Sequence, residues 1–139
     1  MIVDASVLLH AFLPDEMQPQ ALSVVRGHVA GRVQLKAPAL LPYELGNAVL
    51  QAERRGRILR DQAERIIESF ANLEIEIVPQ AWGEMLPLAR QYGRSAYDAA
   101  YLILAERLAE KLITGDERLY NAVKGKLDWV VWMGDYQDE

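Results

Sequence analysis

Five short runs of strand-forming residues recur along this chain, and helical patterns fill the spaces between them. The runs are 1–4, 33–37, 74–78, 111–114 and 129–132, mostly rich in β-branched or aromatic side chains. Helical periodicity covers 18–30, 42–55, 61–72, 80–92 and 96–109, with a shorter piece near 117–123. In 61–72, Ala63, Ile66, Ile67 and Phe70 share one face. Apolar residues also recur on the early helices: Val7, Leu8, Leu9 and Phe12, then Leu22, Val24 and Val25, then Leu45, Val49 and Leu50. Most of these must be core. Strands that alternate with helices are joined by crossovers, which predicts an α/β fold with a mainly parallel sheet and helices on both faces. The helix after Ser95 is apolar nearly all round, so it is predicted to be the most buried.

At 139 residues the chain reads as one domain, 1–139, long enough for a real core. It has no internal repeat, low-complexity segment or interdomain linker. The tail 133–139 is polar and is expected to fray.

Four acidic residues sit where this pattern has little use for them. Asp4 closes Met1-Ile2-Val3. Glu44 lies between Leu40-Leu41-Pro42-Tyr43 and Leu45. Asp98 opens the apolar stretch 99–105. Asp116 closes Leu112-Ile113-Thr114-Gly115. A carboxylate in an apolar segment is costly to desolvate unless something pairs with it. No Lys or Arg sits beside three of the four, and Arg118 is two residues from Asp116. In open α/β sheets ligands bind beyond the carboxyl ends of the strands. Asp4 and Asp116 fall at such ends, and Glu44 and Asp98 in first turns of helices. A fold that gathers those termini on one edge brings four carboxylates together, and acids without matching bases suggest a metal site. With no cysteine and only two histidines, thiolate sites are excluded and zinc is disfavoured.

Each acid also has a plain structural explanation. Asp4 and Asp116 could cap the helices that follow them. Ser95-Ala96-Tyr97-Asp98 fits a capping box, and Glu44 suits the positive end of a helix dipole. Ser6 and Thr114 each stand two residues from an acid, either as turn or strand-edge hydroxyls or as donors that orient a carboxylate. Asn47 follows Glu44 by three residues on the same helix face, either as a buried amide satisfied by backbone or as the holder of a water.

The net charge of −5 argues against a nucleic-acid partner. Without the four acids, 16 acids face 15 bases, a remainder of −1. Arg54, Arg55, Arg57 and Arg60 fall within seven residues; beside Gly56, a solvated helix end is a simpler account of them than a phosphate patch. The longest uncharged run, 5–14, is far short of the roughly 18 residues a membrane span needs. No basic region precedes an apolar stretch at the start, so no signal peptide is indicated and a cytoplasmic protein is expected.

The segments Ile2-Val3-Asp4-Ala5-Ser6, Pro42-Tyr43-Glu44-Leu45-Gly46-Asn47-Ala48, Ser95-Ala96-Tyr97-Asp98-Ala99-Ala100-Tyr101 and Leu112-Ile113-Thr114-Gly115-Asp116 resemble the successive motifs of PIN-domain ribonucleases, in particular VapC-type toxins of toxin–antitoxin pairs. The resemblance spans essentially the whole chain. It implies a three-layer α/β/α domain and a divalent-metal site that cuts single-stranded or loop RNA. The family's acid quartet falls on Asp4, Glu44, Asp98 and Asp116. Phosphodiester hydrolysis by Mg²⁺ or Mn²⁺ needs oxygen ligands and no catalytic His or Cys. On this reading Asp4, Asp98 and Asp116 bind metal, while Glu44 binds metal or orients the water. A homodimer and a small antitoxin with a basic side chain over the acidic cleft are also implied. Two other readings remain: a PIN-fold nuclease of RNA maturation or decay, and an interaction module whose acids no longer cut. A phosphoacceptor signalling domain would want adjacent acids after the first strand and a Lys near the site, and neither is seen.

Overall fold

A computed structural model of the chain describes residues 1–137. The elements run β1 (Ile2–Val3), α1 (Ala5–Phe12), α2 (Pro19–Val29), β2 (Lys36–Ala37), α3 (Leu41–Arg54), α4 (Arg60–Asn72), β3 (Glu76–Ile77), α5 (Met85–Tyr92), α6 (Ala96–Leu108), β4 (Leu112–Thr114), α7 (Glu117–Val123) and β5 (Val130–Trp132). A 3₁₀ turn, Met133–Asp135, follows. The strands form one sheet in the order β3-β2-β1-β4-β5, and every pair is parallel. Ile2 stands opposite both Lys36 and Leu112, and Val3 opposite Ile113.

The strand order sets the location of a site. From β1 the chain moves outward to β2 and β3, then returns to lay β4 on the other side of β1. The direction of winding therefore reverses between β1 and β4. Crossovers leaving in opposite directions open a crevice at the carboxyl ends of those two strands. Asp4 follows β1 directly, and Asp116 lies two residues past β4.

The strands are short but deeply placed: Ile2, Val3, Leu112 and Ile113 have no exposure. Helix α6 packs on β1 and β4, and its residues Ala99 to Ala105 are all buried, as its all-round apolar sequence predicts. Helix α1 packs on β4, α2 and α3. At the amino end of the sheet, Glu110 accepts from the Met1 ammonium at 2.5 Å and from Lys36 Nζ at 2.7 Å. These cations hold its carboxyl below the ordinary range, Lys36 more than Met1.

Several expectations need adjustment. Helix α5 begins at Met85 rather than at residue 80. A start at 85 places Pro87 in the first turn, where its missing N–H leaves no gap; a start at 80 would bury it mid-helix against a carbonyl. In α4, Ala63, Ile66 and Phe70 are buried, but Ile67 is 39% exposed. The tail does not simply fray: Met133 is buried and Tyr136 packs on the core, while residues 138–139 lie outside the described part. Gly56 ends α3 with a φ of +73°, as the helix-end reading of the arginine cluster requires. Arg57 then binds Asp15 through Nε and a terminal nitrogen, both at 2.8 Å, and Glu16 at 2.6 Å. Among the described residues no helix is long and apolar enough to cross a membrane.

The buried strand pair should carry much of the stability. Ile113→Ala is expected to cost about 2–5 kcal/mol. Leu59→Ala, at a side chain 72% exposed, should stay within about 0.5 kcal/mol. Urea denaturation of both variants checks the contrast.

Candidate metal centre

Asp4 is the deepest of the four acids, 6% exposed. It stands at the start of α1 without a full side-chain cap, although the Val7 amide in the first turn still pulls on its carboxyl. Its two oxygens bind two hydroxyls. Ser6 Oγ donates to Oδ1, and Thr114 Oγ1 donates to Oδ2 at 2.5 Å. Each hydroxyl in turn accepts a backbone N–H: Gly115 N to Ser6 Oγ at 2.8 Å, and Asp116 N to Thr114 Oγ1 at 3.0 Å. Both hydroxyls therefore orient the acid. Gly115 is needed for close packing here, since a Cβ would meet His10 Cδ2 at 3.0 Å and Met133 Sδ at 3.2 Å.

The other three acids have one oxygen occupied each. Asp116 does cap α7, with Oδ1 accepting from Arg118 N at 2.9 Å and Leu119 N at 3.3 Å. In α6 only half of the expected capping box forms. Ser95 Oγ accepts from Asp98 N at 3.0 Å. The Asp98 side chain turns instead to Arg94, whose Nε and terminal nitrogen reach Oδ2 at 3.0 and 2.9 Å. Asp98 is thus not without a base. Arg94 stands four residues before it, just past the left-handed Gly93 that ends α5. Glu44 Oε1 accepts from Tyr101 Oη at 2.5 Å. Glu44 Oε2, Asp98 Oδ1 and Asp116 Oδ2 accept no hydrogen bond from the described residues.

Tyr101 was not among the sequence candidates. It is 2% exposed and lies three residues after Asp98, so the i, i+3 rule applied to the Asp98 helix points to it. Burial and the Glu44 charge push its phenol far up, so it stays a donor. Asn47 is exposed and lines a cleft with Glu44, which rules out the buried-amide explanation.

The acids sense one another. Burial pushes the Asp4 carboxyl up to about 6, against the pull of Ser6, Thr114 and the Val7 amide, and the Asp116 charge adds to the rise. Burial raises Glu44 and Asp98 as well; Tyr101 and Arg94 oppose this, and the charges of Asp98 and Asp116, respectively, reinforce it. The couplings form a row: Glu44 to Asp98, Asp98 to Asp116, Asp116 to Asp4. Among the described residues no three His, Asp or Glu side chains stand close enough to enclose an ion alone. Mg²⁺ does not need such a cage, because it keeps several waters and uses one or two carboxylates. An anionic row with open oxygens suits a hydrated divalent ion, whose charge would relieve the crowding.

Comparison with known proteins identifies the family. A family profile described as the PIN domain matches residues 1–125. Ribonuclease VapC3 of Pyrobaculum aerophilum is 31% identical, over 86% of this chain and 91% of its own. Ribonuclease VapC9 of Mycobacterium tuberculosis is 29% identical, over 86% and 87%. A protein of P. aerophilum named Exonuclease VapC9 is 34% identical, over 70% and 73%. The crystal structure of PAE2754 from P. aerophilum superposes with a TM-score of 0.72 at 27% identity, covering 96% of this chain and 83% of that one.

The raised Asp4 carboxyl carries a pH signature. The folded state binds this proton more tightly than the unfolded chain does, so its contribution favours folding at low pH. That contribution is lost as pH rises from the ordinary 3.8 through about 6, a change on the order of 3 kcal/mol. Asp4→Asn cannot titrate. In chelator, its stability relative to wild type should rise between about pH 4 and pH 7. Denaturation midpoints at both ends check this, and a constant difference would refute it.

Proposed function

We infer the function from one premise: this chain belongs to the PIN-domain family. It is a nuclease that hydrolyses RNA phosphodiester bonds, of the kind its relatives named VapC ribonucleases represent. The observation that supports this best is the acid row at the β1–β4 switch point, with three carboxylates each oriented through one oxygen and open at the other. We assign Asp4, Glu44, Asp98 and Asp116 as the site, with Ser6, Thr114 and Asn47 supporting it, and Mg²⁺ or Mn²⁺ as the cofactor. We read 1–139 as one such domain.

A bound divalent ion supplies a lowered water pKa and a counter-charge for the phosphate oxygens. The chain's residues supply position. Asp4 is immobilised by Ser6 and Thr114 and gives the row a fixed inner charge. Asp98 and Asp116 offer Oδ1 and Oδ2 to the ion or its waters. Glu44, held by Tyr101, has Oε2 available for metal or for the proton of the attacking water. Asn47 stands in the cleft beside Glu44, where its amide can hold a water. The toxin reading brings with it a cytoplasmic setting, a homodimer and a small antitoxin that covers the acids with a basic side chain. The relative named an exonuclease favours a second reading of one point, attack from an RNA end rather than within the strand.

Circular RNA separates the two. Wild-type protein with Mn²⁺ is expected to linearise it, and cleavage of linear RNA alone would assign end-directed attack. Asp98→Asn should lower cleavage by more than about 100-fold, beyond the usual loss from an outer-shell partner. Its melting temperature should change little, since desolvation of the Asp98 charge outweighs what the Arg94 pair returns. Retained cleavage would remove Asp98 from the site.

Metal binding has its own readout. A divalent ion at a hundredfold excess over Kd should stabilise the fold by about 2.7 kcal/mol. Thermal melts in Mg²⁺, Mn²⁺ and EDTA test it, and three coincident curves would argue against any metal site.

A further inference from the structure

The acid row opens into two clefts that carry aromatic rings. Beside Asp116, a cleft of about 610 Å³ is walled by Asp116, His10, Gln18, Arg118 and Trp132. At the Glu44 end, a cleft of about 380 Å³ is walled by Glu44, Asn47, Tyr43 and Tyr97. Tyr43 is 78% exposed and Tyr97 is 64% exposed. Each directly precedes a site acid in the chain, Glu44 and Asp98. Rings this exposed add little to the core, so folding alone does not explain them.

Trp132 is half-buried and tilts against Tyr120, with ring centroids 5.6 Å apart. It also walls a smaller cleft with Glu117 and Asn121. Gly134 makes room for it, because a Cβ there would meet Nε1 at 2.5 Å. In the larger cleft His10 Nδ1 lies 3.0 Å from the Glu16 carbonyl. That contact occupies Nδ1 and leaves Nε2 without a hydrogen bond from the described residues. Imidazole and amide groups beside an aromatic face match the edges and face of an unpaired base.

Charge sharpens the choice of ligand. The chain carries −5 overall, and Arg57, from its densest basic cluster, is already bound to Asp15 and Glu16. Net charge alone therefore does not draw RNA to this chain, and contacts to the bases would add to whatever affinity Arg118 in the cleft supplies. Stacking on aromatic rings supplies affinity that does not depend on net charge.

We propose that the two clefts hold the unpaired nucleobases on either side of the scissile phosphate, Trp132 stacking on the Asp116 side and Tyr43 with Tyr97 on the Glu44 side. The proposal rests on the nuclease reading and extends it to the side chains that would hold the bases. A duplex keeps its bases stacked on each other, so paired RNA cannot occupy both clefts.

Two measurements test it. The first is the cleavage of a short labelled single strand by Trp132→Ala and by the Tyr43→Ala/Tyr97→Ala double variant. KM should rise roughly 5- to 100-fold in each, the range expected for loss of base stacking, with kcat much less affected. Trp132→Phe and Tyr43→Phe/Tyr97→Phe should recover most of the loss. The tyrosines are exposed, so their variants test the proposal even if Trp132→Ala folds poorly. The second is binding of the same strand in an Asp98→Asn background, read by anisotropy, where the ring removals should weaken affinity by the same factors and an annealed duplex should bind poorly. If wild type cleaves RNA while KM and affinity ignore both sets of rings, the base subsites are refuted and the nuclease reading stands. If wild type cleaves nothing but the rings still govern single-strand binding, the nuclease reading fails and the subsites stand. Unchanged RNA affinity with loss of self-association in light scattering would give the rings to a protein interface and overturn the proposal.

Discussion

The carboxylate of Asp4 is held by two hydroxyls, one from the start of α1 and one from the end of β4. Its burial is tolerable only because both are present. An ionised carboxylate with no partner at this depth would be too costly to keep. Ser6 and Thr114 each donate to one oxygen and accept an amide of the Gly115–Asp116 turn. The two relays tie the ends of β1 and β4 together beyond the last strand pairs, where the ladder would otherwise stop after two or three residues. They also fix the turn from which Asp116 starts α7. One buried charge thereby sets the local geometry of two strands and two helices.

The two ends of the sheet treat charge oppositely. At the amino end Glu110 meets two cations, and pairing keeps its proton off. At the carboxyl end the acids mostly face hydroxyls, amides and one another, and burial drives the proton affinity of Asp4, Glu44 and Asp98 up. Arg94 is the exception. It grips one oxygen of Asp98 with two nitrogens, yet Asp98 remains raised because desolvation outweighs the pair. A folded chain does not gain stability by crowding carboxylates in this way. The arrangement makes physical sense when something positive and exchangeable occupies the row.

Much of this was legible in the sequence, for identifiable reasons. The five strands, the parallel sheet and the burial of 99–105 follow from period and composition. The positions of Asp4 and Asp116 follow from strand ends. Other features depend on information that periodicity lacks. Residues 5–12 carry almost no polar punctuation, so the bounds of α1 could not be read from them. The start of α5 turned on Pro87, a residue whose cost depends on where the helix begins. Arg94 belongs to the preceding turn, and only the left-handed Gly93 brings it back toward Asp98. Tyr101 looks like one more apolar residue in an apolar helix until Glu44, 57 positions away, is found against its hydroxyl.

That last contact explains how a surface helix contributes to a site it does not cap. Glu44 lies in the first turn of α3, where the dipole favours its charge but leaves its side chain free to swing into water. Tyr101 is fully packed in α6 and has no freedom of its own. Its phenol cannot ionise while burial and the Glu44 charge keep it protonated, so it can only donate. The rigid helix therefore positions one oxygen of the flexible acid. Arg94 does the same for Asp98, and the α7 amides for Asp116. In each case orientation comes from a neighbour that occupies a single oxygen, and the other oxygen is left open. Removing such a neighbour would leave the acid in place but let it rotate, and carboxylates free to rotate cannot present those open oxygens in one fixed arrangement.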